Sequence, residues 1–149
     1  MSQISKINDE RAIAVQIETY RQGFLHLTPE RIASIWDIHH ALLIYVAQEM
    51  TEPIYGWDAI RRYFAALPDH IEKVLSKALS DVRIDVLGDT AIVFFISHTT
   101  AKLKRQGALH EPTFRATMVF HCTTAGWRVI HYHESSLAAS AAQVMSSTR

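Results

Sequence analysis

Cysteine is nearly missing from this 149-residue chain, where Cys122 stands alone. One thiol closes no disulfide within the chain, so stability has to come from a packed core, and a reducing compartment suits it. The neighbours of Cys122 read as a strand, and the thiol is expected to be buried and inert. Glycine is also scarce, at 5 residues, and none belongs to a phosphate-binding loop or a Gly-x-Ser-x-Gly elbow. No Cys/His zinc spacing occurs. Net charge is missing as well: 15 basic residues balance 15 acidic ones. That balance argues against nucleic acid or an anionic membrane surface as the main partner. No run approaches the ~20 apolar residues of a membrane span. Residues 1–12 are polar and charged, unlike a secretory leader. The expectation is a soluble, cytoplasmic protein.

What is present is the composition of a globular domain, 48% apolar and 20% charged. With no linker, repeat or low-complexity stretch, residues 1–149 read as one domain, with 1–8 and 137–149 peripheral. Nine histidines are many for this length and turn the net charge positive between about pH 7 and pH 5. Asn8 or Asp9 can cap a helix to about Leu27, in which Ile13, Ile17, Tyr20, Phe24 and Leu27 form one buried stripe. Thr28-Pro29 opens a second helix to about Trp36. Ala41 to Ala47 reads as a short strand. Gly56 opens a third helix, about Trp57 to Ala66, which Pro68 ends. Strands follow: Val82 to Leu87, a Gly88-Asp89 hairpin turn, Thr90 to Lys102, Thr113 to Cys122, and a last strand from Gly126. Leu137 to Met145 reads as a short helix or a tail.

The last strand carries most of the functional signal. By the two-residue period, Trp127, Val129, His131, His133 and Ser135 share one face, which begins apolar and ends in two imidazoles and a hydroxyl. Such a face floors a core and then lines a cavity. Arg115, on the neighbouring strand with Thr117, Val119 and His121, would then be a buried cation aimed at the same cavity, calling for a carboxylate or an anionic ligand. Ala91 to Ile96 is apolar on both faces. Helices cover one, so the other is expected to meet a second copy of the sheet, giving a homodimer or larger homo-oligomer.

Helices followed by antiparallel strands give an α+β order. The Gly56-x-x-x-Ile60-x-x-Tyr63-Phe64 helix and the sheet that follows it resemble the nuclear-transport-factor-2-like superfamily, which includes ketosteroid isomerase, scytalone dehydratase and the SnoaL-like polyketide cyclases. The second half, Val82 to Ala91 with Thr117, His121, Trp127, His131, His133 and Ser135, is similar to the calcium/calmodulin-dependent kinase II association domain. The resemblance implies a cystatin-like cone: a curved antiparallel sheet wrapped on three N-terminal helices, with a pocket between.

It also implies roles. Tyr20 resembles the helix-one tyrosine that donates to the oxyanion in ketosteroid isomerase. The isomerase's carboxylate base falls at Tyr45, and its second, acidic donor near Thr117 or Met118, so steroid isomerisation by that route is not expected. His131 and His133 are the candidate proton shuttles. Trp36, Tyr45, Trp57, Arg115, Thr117 and His121 are the candidate ligand contacts. The functional expectation is a SnoaL-like pocket protein for a carboxylate- or carbonyl-bearing small molecule. If it is an enzyme, it is expected to isomerise, dehydrate or cyclise by proton transfer, without metal or cofactor. The alternative is a non-catalytic association or ligand-sensing module.

Overall fold

The computed structural model describes residues 2–105 and 107–137. Element order is α1 (Gln3–Leu25), α2 (Pro29–Ala33), β1 (Ile44–Val46), β2 (Ile54–Tyr55), α3 (Trp57–His70), β3 (Ile71–Leu87), β4 (Thr90–Leu103), β5 (Leu109–His110), β6 (Thr113–Thr123) and β7 (Gly126–Ser136). The sheet runs β2-β1-β7-β6-β4-β3, with β5 paired to β4. It is a curved, unclosed α+β sheet rather than a barrel. One joint departs from the antiparallel expectation: β1 pairs parallel to β7, Tyr45 opposite Tyr132.

The helices differ from the sequence reading at their ends. α1 begins a turn and a half earlier than Asn8, because Ser2 caps it, its Oγ accepting from the Ser5 N–H at 3.2 Å. Asp9 instead accepts from Trp127 Nε1 at 3.1 Å, pinning α1 to β7. Ile13, Ile17 and Tyr20 are buried as expected. α2 is short, ending at Ala33. α3 runs through Pro68, which sits in its last turn, to His70 and passes straight into β3. A proline there forfeits one backbone bond in the last turn and need not stop the helix.

β3 is the element the sequence conceals. It starts at Ile71, eleven residues before Val82, and its register against β4 shifts between Ile71 and Lys73, Val74 and Ser76, and Ser80 and Arg83. Each shift breaks the two-residue alternation that announces a strand and adds bend and twist to the sheet. The Gly88-Asp89 turn is as read, with Leu87 opposite Thr90. The core lies between α1, α3 and the inner face of the sheet, built on Ile13, Ile60, Phe64, Val93, Phe95, Phe120 and Val129. Cys122 is exposed, not buried: it lies one residue before the β6 end, beside the 123–126 turn. Leu137 is the one described residue of the expected C-terminal helix; the rest of Leu137 to Met145 lies outside the described residues.

Candidate active site

The inner faces of β3, β4, β6 and β7, with α1, α3 and β1, enclose a cavity of about 790 Å³. Its wall is mostly apolar, with Phe24, Leu67, Val74, Ala101, Leu103 and Phe114 contributing. Its mouth carries the exposed residues Glu49, His70, His110 and Ser136. Inside are Tyr20, Tyr45, Tyr63, Lys77, Glu134 and, one hydrogen bond further back, Tyr132, all groups able to do chemistry.

A β-bulge decides which residues of β7 reach this cavity. Phe120 of β6 faces Val129, but Val119 faces His131, so Ile130 is an extra residue with no partner. Trp127 and Val129 point inward before it; Tyr132 and Glu134 point inward after it, both buried. His131, His133 and Ser135 are turned to the outer face, where His133 and Ser135 are exposed. The expected row of inward imidazoles is thereby corrected: the period is two on either side of Ile130, with a phase change at it. Burial lowers the proton affinity of His131, and neighbouring His133 lowers it further.

β6 has the same outcome without a bulge. Phe114, Ala116, Met118 and Phe120 are buried on the inner face, so Arg115, Thr117 and His121 lie on the outer one. Arg115 is exposed and donates from Nη2 to the Ser136 carbonyl at 3.1 Å; it is not a buried cation. Trp36 is packed in the core against Tyr45 and Phe64, and Trp57 is half-buried beside the core; neither lines the cavity. Of the residues proposed from sequence, Tyr20 and Tyr45 line it.

The buried carboxyl group of the cavity is Glu134. Tyr132 donates to its Oε1 at 2.6 Å and the Gln48 N–H to its Oε2 at 3.0 Å. Tyr20 and Tyr132 share a hydrogen bond of 2.7 Å. Since Tyr132 spends its one proton on Glu134, Tyr20 donates to Tyr132. The result is a directed chain, Tyr20 to Tyr132 to Glu134, and Tyr45 stacks on Tyr132 with ring centroids 4.9 Å apart at 11°. Burial pushes the Glu134 carboxyl above the usual carboxylate range, although the two hydrogen bonds and the Lys77 charge pull the other way. Burial, with the Glu134 charge nearby, likewise pushes the Tyr20, Tyr45 and Tyr132 phenols well above 10, so they remain donors at any physiological pH.

The amine of the cavity is Lys77, on the inner face of β3 and only 5% exposed. Its Nζ donates to Ser97 Oγ at 2.9 Å and Thr99 Oγ1 at 3.4 Å. The rings of Tyr20, Phe24 and Phe114 surround it, each 5.1–5.2 Å from the nitrogen. Burial brings its pKa down from 10.5 to about 8, against the opposing pull of Glu134. Lys77 therefore takes the place expected for Arg115. Residues 71–81 carry no strand periodicity, so the sequence alone does not place Lys77 on an inner face. Glu134 left a fainter trace: Val129-Ile130, two apolar neighbours inside an alternating strand, marks the phase change.

A different cluster carries metal-binding residue types. Ligand atoms of Asp37, His40 and His121 lie within 4.8 Å of one another, and His121 Nδ1 is buried 3.7 Å from Asp37 Oδ2 with no hydrogen-bond partner. None of the three lines the cavity.

A family model for a SnoaL-like domain matches residues 24–140. A search of curated proteins finds no match. Among solved structures, a protein from Streptomyces avermitilis, described as a candidate dehydratase of the nuclear-transport-factor-2-like family, superposes with a TM-score of 0.79 at 20% identity, covering 89% of this chain and 99% of its own. A nuclear-transport-factor-2-like superfamily protein from Salmonella enterica gives 0.81 at 21% identity, covering 91% and 95%. A candidate calcium/calmodulin-dependent kinase II association domain from Xanthomonas campestris gives 0.70 at 17%, covering 85% and 86%. At these identities the structural likeness is one of fold. The bulged strand, the cavity it closes and the match over most of the chain lead to one conclusion: this protein belongs to the SnoaL-like domain family and has the nuclear-transport-factor-2-like fold.

Proposed function

We propose that this protein is a cofactor-free enzyme that moves a proton on a small carbonyl or carboxylate compound, with isomerisation or dehydration as the outcome. The observation that carries this reading is a buried carboxyl, Glu134, and a buried amine, Lys77, lining one apolar cavity, where burial disfavours the charge on each. Glu134 is the general base and then the general acid. A carboxylate held in a dry site takes an α-proton far more readily than one in water. The Tyr20–Tyr132 chain holds Glu134 in place. Lys77 offers positive charge where an enolate oxygen develops. If the carbon next to the enolate bears a hydroxyl, its departure gives dehydration; if the proton returns to another carbon, the double bond has moved. The volume of about 790 Å³ and its apolar wall suit a ligand with a ring or a short hydrocarbon body.

The same protein is proposed to act as a cytoplasmic homodimer through the outer face of the sheet. Ile92, Phe94, Ile96 and Val119 form a partly exposed apolar strip there, rimmed by Arg115, His98 and His133. The strip also supports the second reading, an association module, in which the cavity binds without turning over.

The two readings separate in D₂O. Proton NMR of small enolisable ketones and acids incubated with the protein is expected to show α-proton exchange that falls at least about a hundredfold in Glu134→Gln, the usual scale for loss of a general base. Exchange that Glu134→Gln leaves unchanged would remove Glu134 from the chemistry. A panel bound but never exchanged would favour the association module.

A further inference from the structure

We propose that Lys77 is a covalent catalyst whose amine captures an aldehyde or ketone substrate as an imine. This deepens the proton-transfer reading of the same cavity; the attack of the amine on the carbonyl carbon stands apart from that reading, and the proton transfers through Glu134 rest on it.

The geometry points there in three ways. First, among the described residues no carboxylate lies within ion-pair distance of Lys77. Its polar contacts are the hydroxyls of Ser97 and Thr99, which use two of the three positions on the nitrogen and leave one for a carbon. A lysine kept only for charge is poorly served by such a place, whereas an amine that must shed its proton is well served. Second, the nitrogen lies 5.1–5.2 Å from the centres of three aromatic rings. An iminium keeps the positive charge on that nitrogen, so the same rings stabilise the covalent state. Third, Glu134 lines the same cavity and is available to move protons during capture and afterwards. A pKa of about 8 leaves roughly a tenth of the amine neutral at pH 7, against well under a hundredth for a solvated lysine.

The steps balance without any further reactant. The neutral amine adds to the carbonyl carbon; the C–N bond forms, and the oxygen takes up the proton that nitrogen gives up. The resulting hydroxyl receives a proton from the Glu134 carboxylic acid and leaves as water while the C=N bond forms. The Glu134 carboxylate then takes an α-proton, and the iminium accepts the electron pair as an enamine. Reprotonation and addition of water return the product and the free amine. The substrate class is an enolisable aldehyde or ketone with an apolar body.

Phenylacetone is a suitable probe, incubated with the full chain and sodium cyanoborohydride, with the adduct located by peptide mass spectrometry. The expected result is reduced adduct at Lys77 ahead of Lys6, Lys73, Lys102 and Lys104, rising with pH to a plateau past about 8. Lys77→Arg keeps the cation and is expected to abolish that adduct; Glu134→Gln removes the acid that expels water, and is expected to form the adduct more slowly, still at Lys77, and to lose α-proton exchange in D₂O. Adduct spread over the other lysines with Lys77 untouched overturns the proposal. Exchange that needs Glu134 but survives in Lys77→Arg also overturns it, while leaving the non-covalent proton-transfer reading in place. Adduct at Lys77 with no exchange in the wild type supports capture and refutes proton transfer instead.

Discussion

Lys77 and Glu134 cost the fold stability in opposite pH directions, which makes them measurable one at a time. The folded protein holds the Lys77 proton less tightly than the unfolded chain does, so between about pH 8 and 10.5 the unfolded state binds more protons and stability rises with pH. Below about 8 the full cost of burying the ammonium is present. The stability of Lys77→Met relative to wild type is therefore expected to be greatest at pH 7. It should decline by on the order of 3 kcal/mol by pH 10.5, read from paired denaturant titrations. Glu134 has the reverse sign: its folded proton affinity is raised, so the stability it contributes is full below pH 4.5 and is lost as pH climbs toward its folded value. Glu134→Gln should therefore gain on the wild type as pH rises from 4 to 7, while losing activity. At this scale the sequence was half legible. Tyr20 and Tyr45 could be placed because a helical stripe and a short β-rich run carry ordinary periodicity. Lys77 could not, because irregular register leaves no pattern around it.

At the scale of elements, β7 shows how one residue redirects a site. The composition of Gly126 to Ser136 marks it as the candidate functional strand, and its bounds are readable. Which face looks inward depends on Ile130, whose bulge is a matter of pairing with β6 and not of the strand alone. Deleting Ile130 is expected to leave Tyr132 and Glu134 inward and activity detectable. Deleting His133, beyond the bulge, turns Glu134 outward and should abolish Glu134-dependent exchange. The α1–α2 joint is set by close approach: a Cβ on Gly23 would come within 2.8 Å of Ile32 Cγ1 and 3.0 Å of Ile32 N. Gly23→Ala is expected to destabilise by about 1–3 kcal/mol in thermal or chemical melts, because one of those neighbours is backbone.

At the scale of the whole molecule, the two faces of the sheet differ in what they carry. The inner one carries the core and the cavity; the outer one carries Ile92, 42% exposed, between Phe94 and Val119 on neighbouring positions of the sheet. The α+β order, the hairpin at Gly88-Asp89 and the doubly apolar β4 were all readable, because they rest on composition and turn chemistry. The parallel β1–β7 joint was not, since nothing local in Ile44–Val46 states its partner. Ile92→Asp, placed at the centre of the proposed interface, is expected to shift the protein from dimer to monomer by light scattering while leaving Glu134 inside the cavity. A wild type that is monomeric at high concentration removes that interface.

The most direct measurement is a ¹³C NMR titration of the Glu134 side-chain carboxyl, identified by its absence in Glu134→Gln and repeated in Lys77→Met. A buried carboxyl sharing a cavity with a buried amine titrates above 4.5 and moves higher still when the amine is removed, because Lys77 favours the carboxylate. A midpoint at or below 4.5 that Lys77→Met leaves in place would contradict it.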